Sequence, residues 1–358
     1  MVEKQQHTSL EFLSHPGETL AEILAERGLS QKELAIRSGV SEKHISSVIN
    51  GNSKITSEFA LKLAFSLDGD PSFWTNLQAN HDFEQGILKE KENITDKERD
   101  IARQIKEATS KMLKTNFQRG YKDEVIMELR KHLGLSNLQA IVELNSGIYR
   151  QQFTKGTNEY IMYVWQYLSE KSTNKQEVAS LDIAKLKEKL PKIKEIMFSD
   201  KNILHEIRDT LNSVGVLFTA QQNVKGAPVN GLTVKSKRGY PLIALTIRNR
   251  YRDIFWFTLF HEIAHVVNGD YNKKLTDEQY FEAEEKANLF ARNLLIDEEH
   301  YKKFIKKGDF TNKSIIEFAQ KNNVITDIVV GRLMKDKMLD WSNHNLRNKY
   351  EWAENSKG

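Results

Sequence analysis

Two histidines four residues apart, His261 and His265, with Glu262 beside the first, follow the apolar and aromatic run Ile254 to Phe260. That pattern leaves the surrounding chain few options. A helix turns every 3.6 residues, so both imidazoles project from one face and can reach a single metal ion. Glu262 then lies beside the metal position, where a carboxylate can take a proton from water and pass it to a leaving amine. Asp253 reads as the N-cap and Gly269 as the C-terminal stop, which predicts a core helix of about four turns. A chance pair of surface histidines is the plainer alternative, and the apolar flanks argue against it.

Catalytic zinc commonly keeps three protein ligands and one open position. The chain has no cysteine, so a downstream carboxylate or histidine must complete the set. In the stretch from Phe281 to Ala291, Glu284, Ala287, Asn288 and Ala291 share one helical face of mostly small residues that allows close packing on the first helix. Glu284 is the ligand this spacing favours, whereas Glu282 and Glu285 fall on other faces as ordinary solvated charges. Asn288, one turn beyond Glu284, is placed to hydrogen-bond the far nitrogen of a ligating imidazole and fix its tautomer.

The segment IRNRYRDIFWFTLFHEIAH, Ile247 to His265, followed by EEKANLFARNLLI from Glu284, resembles the ImmA/IrrE family of zinc metallopeptidases. The resemblance implies a gluzincin-like zinc metalloendopeptidase with His261, His265 and Glu284 on zinc and Glu262 catalytic. It also implies proteolysis of a transcriptional repressor in the cytoplasm. Where relatives continue LLMP or LLIP, this chain has Leu294-Leu295-Ile296-Asp297, a departure at a helix end rather than at the metal. A second donor to the oxyanion stays open among Tyr251, Tyr271, Tyr280 and His300.

The other strong signal runs from Leu29 to Gly51. Ser30, with Glu33 three residues on, caps one short helix, Ser41 caps a second, and Gly39 permits the left-handed turn between them. Leu34, Ala35, Val40, Ile45 and Val48 supply the apolar contacts that hold the pair at a steep angle. This is a helix-turn-helix layout, with Ser41, Lys43, His44 and Ser47 turned towards a major groove and Gln31 near the phosphates. Residues 15 to 84 resemble the HigA-type antitoxins, a branch of the Xre/Cro-like repressors. That likeness implies five helices, a homodimer through the later helices, binding to a double-stranded operator, and a toxin partner.

Charge is divided unevenly. Residues 1–85 carry seven basic and twelve acidic side chains, a net of −5, so the remainder carries +9 of the chain's +4. Phosphate neutralisation supplies most non-specific DNA affinity, so a positive reading face must be local, built from Lys32, Arg37, Lys43 and Lys54, or else helped by the basic remainder. A unit that serves only as a protein-docking module is the competing reading. Residues 86–110 are charge-dense, as in a solvated linker or exposed helix, with a hinge expected at Lys89 to Asn93. Beyond them apolar residues recur at helical spacing, and Tyr160, Trp165 and Tyr167 read as packing residues before ligand contacts. Val214 to Phe218, Gly231 to Val234 and Pro241 to Ile247 read as three strands. The sequence Lys235 to Arg238 and the cluster Lys302-Lys303 with Lys306-Lys307 are basic patches whose plain reading is solvated surface, with contact to a DNA backbone or an acidic partner as the sharper one.

With 28% charged residues and a mean hydropathy of −0.57, the chain offers no apolar run that would span a bilayer and no signal peptide, which predicts a cytoplasmic protein without a membrane partner. The fold expected is α+β and mostly helical: a helix-turn-helix domain over 1–85, a charged linker and helical connector over 86–200, and a zincin-like domain with a small sheet and the HExxH helix over 201–358. The expected function is a DNA-binding regulator whose zinc endopeptidase cleaves a repressor or antitoxin, itself included among the candidates, in a stress or mobile-element response. Two alternatives remain: a HigA-like antitoxin or repressor whose metal domain senses rather than cleaves, and a protease whose helix-turn-helix merely docks its substrate.

Overall fold

The computed structural model describes residues 14–113, 122–145, 157–199, 202–248, 250–273, 275–342 and 346–351. They fall into two compact units, Met1–Asp96 and Lys97–Gly358. The first unit is all helical: α1 (Pro16–Glu26), α2 (Gln31–Ser38), α3 (Glu42–Ile49), α4 (Ser57–Ser66) and α5 (Pro71–Glu92). Capping sets most of these boundaries. Ser30, Ser41, Thr56 and Asp70 each accept a hydrogen bond from a main-chain N–H in the first turn of α2, α3, α4 and α5 respectively. Gly39 ends α2 in the left-handed region at φ 65°, which frees the chain to turn sharply into α3. Leu20, Leu34, Ile45, Val48, Leu63 and Trp74 form the core beneath them. Gly17 marks the closest approach, because a Cβ there would lie 1.9 Å from the Val48 carbonyl oxygen. Glycine is thus required for α1 to rest on the end of α3.

The expected boundary at residue 85 falls inside α5, which continues to Glu92, and the expected hinge is that helix's last turn with Asn93 as its C-cap. The charge density there belongs to a solvated helix end, where Lys89 and Lys91 complement the helix dipole.

The second unit contains α6 (Asp96–Leu113), α7 (Lys122–Leu133), α8 (Ala140–Asn145), α9 (Glu159–Ser172), α10 (Ile183–Glu195), α11 (Ile203–Asn212), β1 (Leu217–Gln221), β2 (Gly231–Lys235), β3 (Pro241–Thr246), α12 (Arg252–Asn268), α13 (Asp277–Leu295), α14 (Glu298–Lys307), α15 (Asn312–Lys321) and α16 (Thr326–Lys335). The three strands run in the order β1-β3-β2, with β1 parallel and β2 antiparallel to β3. Every residue of the central strand β3 is buried, as expected of a strand covered on both faces. Alternation divides its side chains: Leu242 and Ala244 join Leu217, Leu232 and Val234 against Ile161, Met162 and Trp165 of α9. Ile243 and Leu245 join Phe218 against Phe255, Trp256, Leu259 and Phe260 of α12. Trp165 is fully buried and therefore a packing residue. The segment read as a connector thus contributes α9 and α10 to this unit's cores, through Trp165 and through Leu186, Leu190 and Ile193. Among the described residues no helix is long and apolar enough to cross a membrane.

Candidate metal centre and reading helix

Packing holds α12 on two sides. Its apolar face lies on β3, and α13 crosses it through Ala287 and Ala291, which are completely buried. Such small contacts let two helix backbones approach closely, which brings Glu284 within reach of the α12 histidines. His261 Nε2 and His265 Nε2 lie 3.1 Å apart, His261 Nε2 is 3.2 Å from Glu284 Oε2, and His265 Nε2 is 3.5 Å from Glu284 Oε1. A tetrahedral zinc with bonds of about 2.0–2.1 Å separates its ligand atoms by about 3.3 Å, so the three donors already stand at metal-binding spacing. Their chemistry also fits: two imidazoles and one carboxylate, with the outer nitrogens engaged elsewhere.

Those outer contacts are specific. His261 Nδ1 meets Asn288 Oδ1 at 3.1 Å, and His265 Nδ1 meets Asp270 Oδ1 at 2.8 Å. An acceptor on Nδ1 fixes the tautomer that leaves Nε2 able to ligate. Burial works against a charged ring at His265, but Asp270 and Glu284 outweigh it and push the imidazole up to about 10. Burial likewise opposes ionisation of Glu284, yet the two imidazoles hold its carboxyl well below the usual carboxylate range. The cluster is built to hold positive charge.

Glu262, between the two histidines in sequence, is buried, 6% exposed. Its Oε2 accepts a 2.6 Å hydrogen bond from Thr233 Oγ1 on β2. Burial pushes this carboxyl up, with the neighbouring imidazoles and Thr233 acting against the rise. Gly231, at the start of β2, makes room for the carboxylate: a Cβ there would lie 2.6 Å from Glu262 Oε1. Neither Thr233 nor Gly231, nor Asp270, was singled out from sequence. Gly231 and Thr233 lie in a strand that the sequence does predict, and Asp270 directly follows the stop glycine of α12, but none of these patterns points to Glu262 or His265.

Asp253 is not the N-cap of α12. Tyr251 holds that position without a side-chain cap, and Asp253 sits in the first turn, buried, with two 2.9 Å hydrogen bonds from Arg347. Gly269 does end the helix, at φ 67°. Among the four oxyanion-donor candidates, Tyr251 lies at the far end of α12 under the Arg347 guanidinium, 3.7 Å from its ring centre. His300 Nδ1 is engaged with Asn322 on another helix pair, and Tyr271 follows Asp270 in the loop. Tyr280, one turn before Glu284, is the candidate whose phenol meets that carboxylate; burial and the Glu284 charge push it well above its ordinary value.

On α3 the residues expected at DNA have other work. Ser41 is exposed and caps the helix, accepting from His44 N at 3.2 Å. His44 is half-buried with its ring edge-on to Phe59 at 5.1 Å, and Ser47 Oγ pairs with Ser53 Oγ at 2.7 Å. Lys43 is exposed, and Gln31 is half-buried at the first position of α2. Of the cations expected to form the local positive face, Lys54 pairs with Asp82 and Arg37 with Glu33.

Fold and sites together define a helix-turn-helix unit joined to a unit whose α12 carries an HExxH sequence. Comparison with known proteins gives each a family: residues 20–74 match the family described as Helix-turn-helix, and residues 248–334 match the IrrE N-terminal-like domain of the M78 peptidases. The chain thus carries a HigA-like helix-turn-helix domain at one end and an IrrE-like M78 domain at the other. Antitoxin HigA-1 of Vibrio cholerae is 41% identical over 63 residues, covering 17% of this chain and 59% of that protein, so the chain spans less than two thirds of that relative's length. Two solved structures are similar in the same region. One is an addiction module antidote protein of the HigA family from Coxiella burnetii, 32% identical, covering 23% of this chain and 95% of that one, TM-score 0.21. The other is described as an antidote protein of a plasmid maintenance system from Nostoc punctiforme, 37% identical, covering 22% and 87%, TM-score 0.22.

Proposed function

We propose that the protein is a cytoplasmic DNA-binding regulator whose C-terminal unit is a zinc endopeptidase acting on a repressor or antitoxin. The observation that carries the catalytic half is the convergence of three donors at zinc spacing beside a buried carboxylate that is not one of them. His261, His265 and Glu284 would hold a zinc ion, whose Lewis acidity would activate a water molecule and the scissile carbonyl. Glu262 accepts the proton of the attacking water and returns it to the leaving amine, a task suited to a carboxylate whose affinity for protons is raised by burial. Thr233 orients that carboxylate, and Asn288 and Asp270 orient the two imidazoles. Tyr280 keeps its proton, and its phenol, which meets Glu284, can donate to the developing oxyanion by turning away from that carboxylate.

The substrate enters as an extended peptide. β2 is a terminal strand of the sheet and passes directly over Glu262 at Gly231 and Thr233, so main-chain hydrogen bonds along its outer edge would align a peptide with the catalytic carboxylate. The helix-turn-helix unit supplies the address: a homodimer on an operator, with Lys43 at the DNA. The exposed Leu61 and Phe65 of α4 and Phe73 of α5 are the apolar surface for dimerisation. The antitoxin and antidote names of the similar proteins make a toxin a candidate partner.

The test is elemental analysis of the purified chain together with cleavage of a co-expressed repressor or antitoxin. About one zinc per chain is expected. Glu262→Gln should retain that zinc and lose cleavage by a factor of about 10²–10⁴. Undiminished cleavage by this variant would remove Glu262 from the mechanism, and absence of stoichiometric metal would sink the peptidase reading. A HigA-like repressor with a sensing metal domain would then be favoured if operator binding responded to zinc.

A further inference from the structure

Past Lys235 the β2 strand enters a tight turn, Ser236 to Gly239, closed by a hydrogen bond from Gly239 N to Ser236 O at 2.9 Å. This turn meets the C-terminal end of α9 around a cavity of about 150 Å³, lined by Tyr167, Glu170, Lys171, Thr173, Asn174, Ser236, Lys237 and Arg238. Arg238 is committed to structure. Its guanidinium donates to the carbonyls of Thr173 at 3.2 Å and Gln176 at 2.9 Å, closing the end of α9. Glu170 is likewise occupied, accepting from the Lys237 main-chain N–H.

Two cations and a hydroxyl remain. The ammonium groups of Lys171 and Lys237 stand 5.9 and 5.6 Å from the centre of the same Tyr167 ring, and neither has a carboxylate at ion-pair distance among the described residues. Like charges gathered on one ring repel unless an anion lies between them. The Ser236 hydroxyl is the second, independent sign: it is buried, it lines the cavity, and it has no hydrogen-bond partner. Buried polar groups of native proteins nearly always have partners, so an orphaned hydroxyl on a residue that lines a basic cavity points to an acceptor beside it.

We infer that this cavity binds a phosphate group, free or as a small phosphate monoester. A tetrahedral dianion offers several acceptor oxygens at once, enough for two ammonium donors and the serine hydroxyl, and charge-assisted contacts of this kind are the strong ones. The Tyr167 face restrains both lysines in place through cation–π contact. The site is separate from the metal centre and does not depend on the peptidase reading.

The experiment is calorimetric titration of the full chain with inorganic phosphate, and separately with adenosine monophosphate, at constant ionic strength in chloride. Saturable binding of about one anion per chain is expected with at least one of the two; tighter binding of the nucleotide identifies a carried phosphate, and equal binding identifies the free anion as sufficient. Lys171→Ala and Lys237→Ala should each weaken binding at least about fivefold, and Ser236→Ala about tenfold, with circular dichroism unchanged. Lys235→Ala, which alters an exposed cation of the same strand outside the cavity, should leave the affinity within about twofold. No saturable binding of either anion, affinity indifferent to all three cavity substitutions, or equal weakening by Lys235→Ala would overturn the inference.

Discussion

The two helices that carry the proposed chemistry, α12 and α3, differ in how completely the protein fixes their functional atoms. On α12 each critical side chain has a partner from a different element: Asn288 of α13 for His261, Asp270 of the following loop for His265, Thr233 of β2 for Glu262. On α3 the polar side chains serve their own helix and its neighbours, with Ser41 as cap, Ser47 bound to Ser53, and His44 packed on Phe59. A small ion brings no shape of its own, so its ligands must be preorganised. A duplex brings half of the interface geometry with it, and a rigid helix with one exposed lysine suffices as a platform.

The sharpest way to break this comparison is at the ligands. Glu284→Ala removes the carboxylate from a site whose other donors are only two imidazoles, so zinc content should fall from about one per chain to near zero and cleavage should disappear. Operator binding should persist. Retention of stoichiometric zinc in this variant would show that another residue completes the set.

The contact network around the ligands comes next. Asp270→Ala leaves His265 as a ligand but frees its outer nitrogen, and loss of such a partner typically costs 10–100-fold in metal affinity. Competition with a zinc chelator measures it. An affinity unchanged within about twofold would mean that His265 is held by packing alone.

These residues also mark the limit of what the sequence discloses. The spacing of His261 and His265 and the small face Glu284, Ala287, Asn288 and Ala291 could be read because each lies within one helix, where periodicity converts number into direction. The strands were legible for the same reason, although β1 starts at Leu217 rather than Val214. Gly215, at φ 86°, turns the chain so tightly against Leu181 that a Cβ would lie 2.3 Å from its Cα. Val214 and Val216 are buried in that turn. Thr233 and Asp270 could not be read in this way. Thr233 reaches Glu262 from 29 residues away across a sheet-helix interface, and Asp270 reaches back to His265 only because Gly269 adopts the left-handed conformation. The partnership of Asp253 with Arg347 spans 94 residues and leaves no local pattern either.

Thr233 offers a finer test of the role proposed for the Glu262 carboxylate. Burial raises the proton affinity of Glu262, and the Thr233 hydroxyl partly offsets that rise by donating to Oε2. Thr233→Val removes the donor at nearly constant volume, so the carboxyl should bind protons still more tightly. A general base must be ionised, so the acid limb of the kcat/KM profile should move to higher pH, with a rate loss of about tenfold on the acid side and little change above the shifted limb. An acid limb that stays in place would separate Thr233 from proton transfer.

The smallest effect is expected where the protein fixes least. Lys43 is exposed at the start of α3, with Ser41 tied up as the cap and Ser47 bound to Ser53, so it is the residue of that helix most open to DNA. If its ammonium meets a phosphate, Lys43→Ala should weaken binding to operator and random DNA alike, by a few-fold, and reduce the salt slope of the binding constant by about one. If it reads a base edge, the loss should be about 1–3 kcal/mol on the operator alone. A gel-shift series across salt concentration separates the two outcomes. No change on either DNA would show that α3 is not the reading helix, and the contrast between a preorganised candidate metal site and a DNA-completed interface would lose its second half.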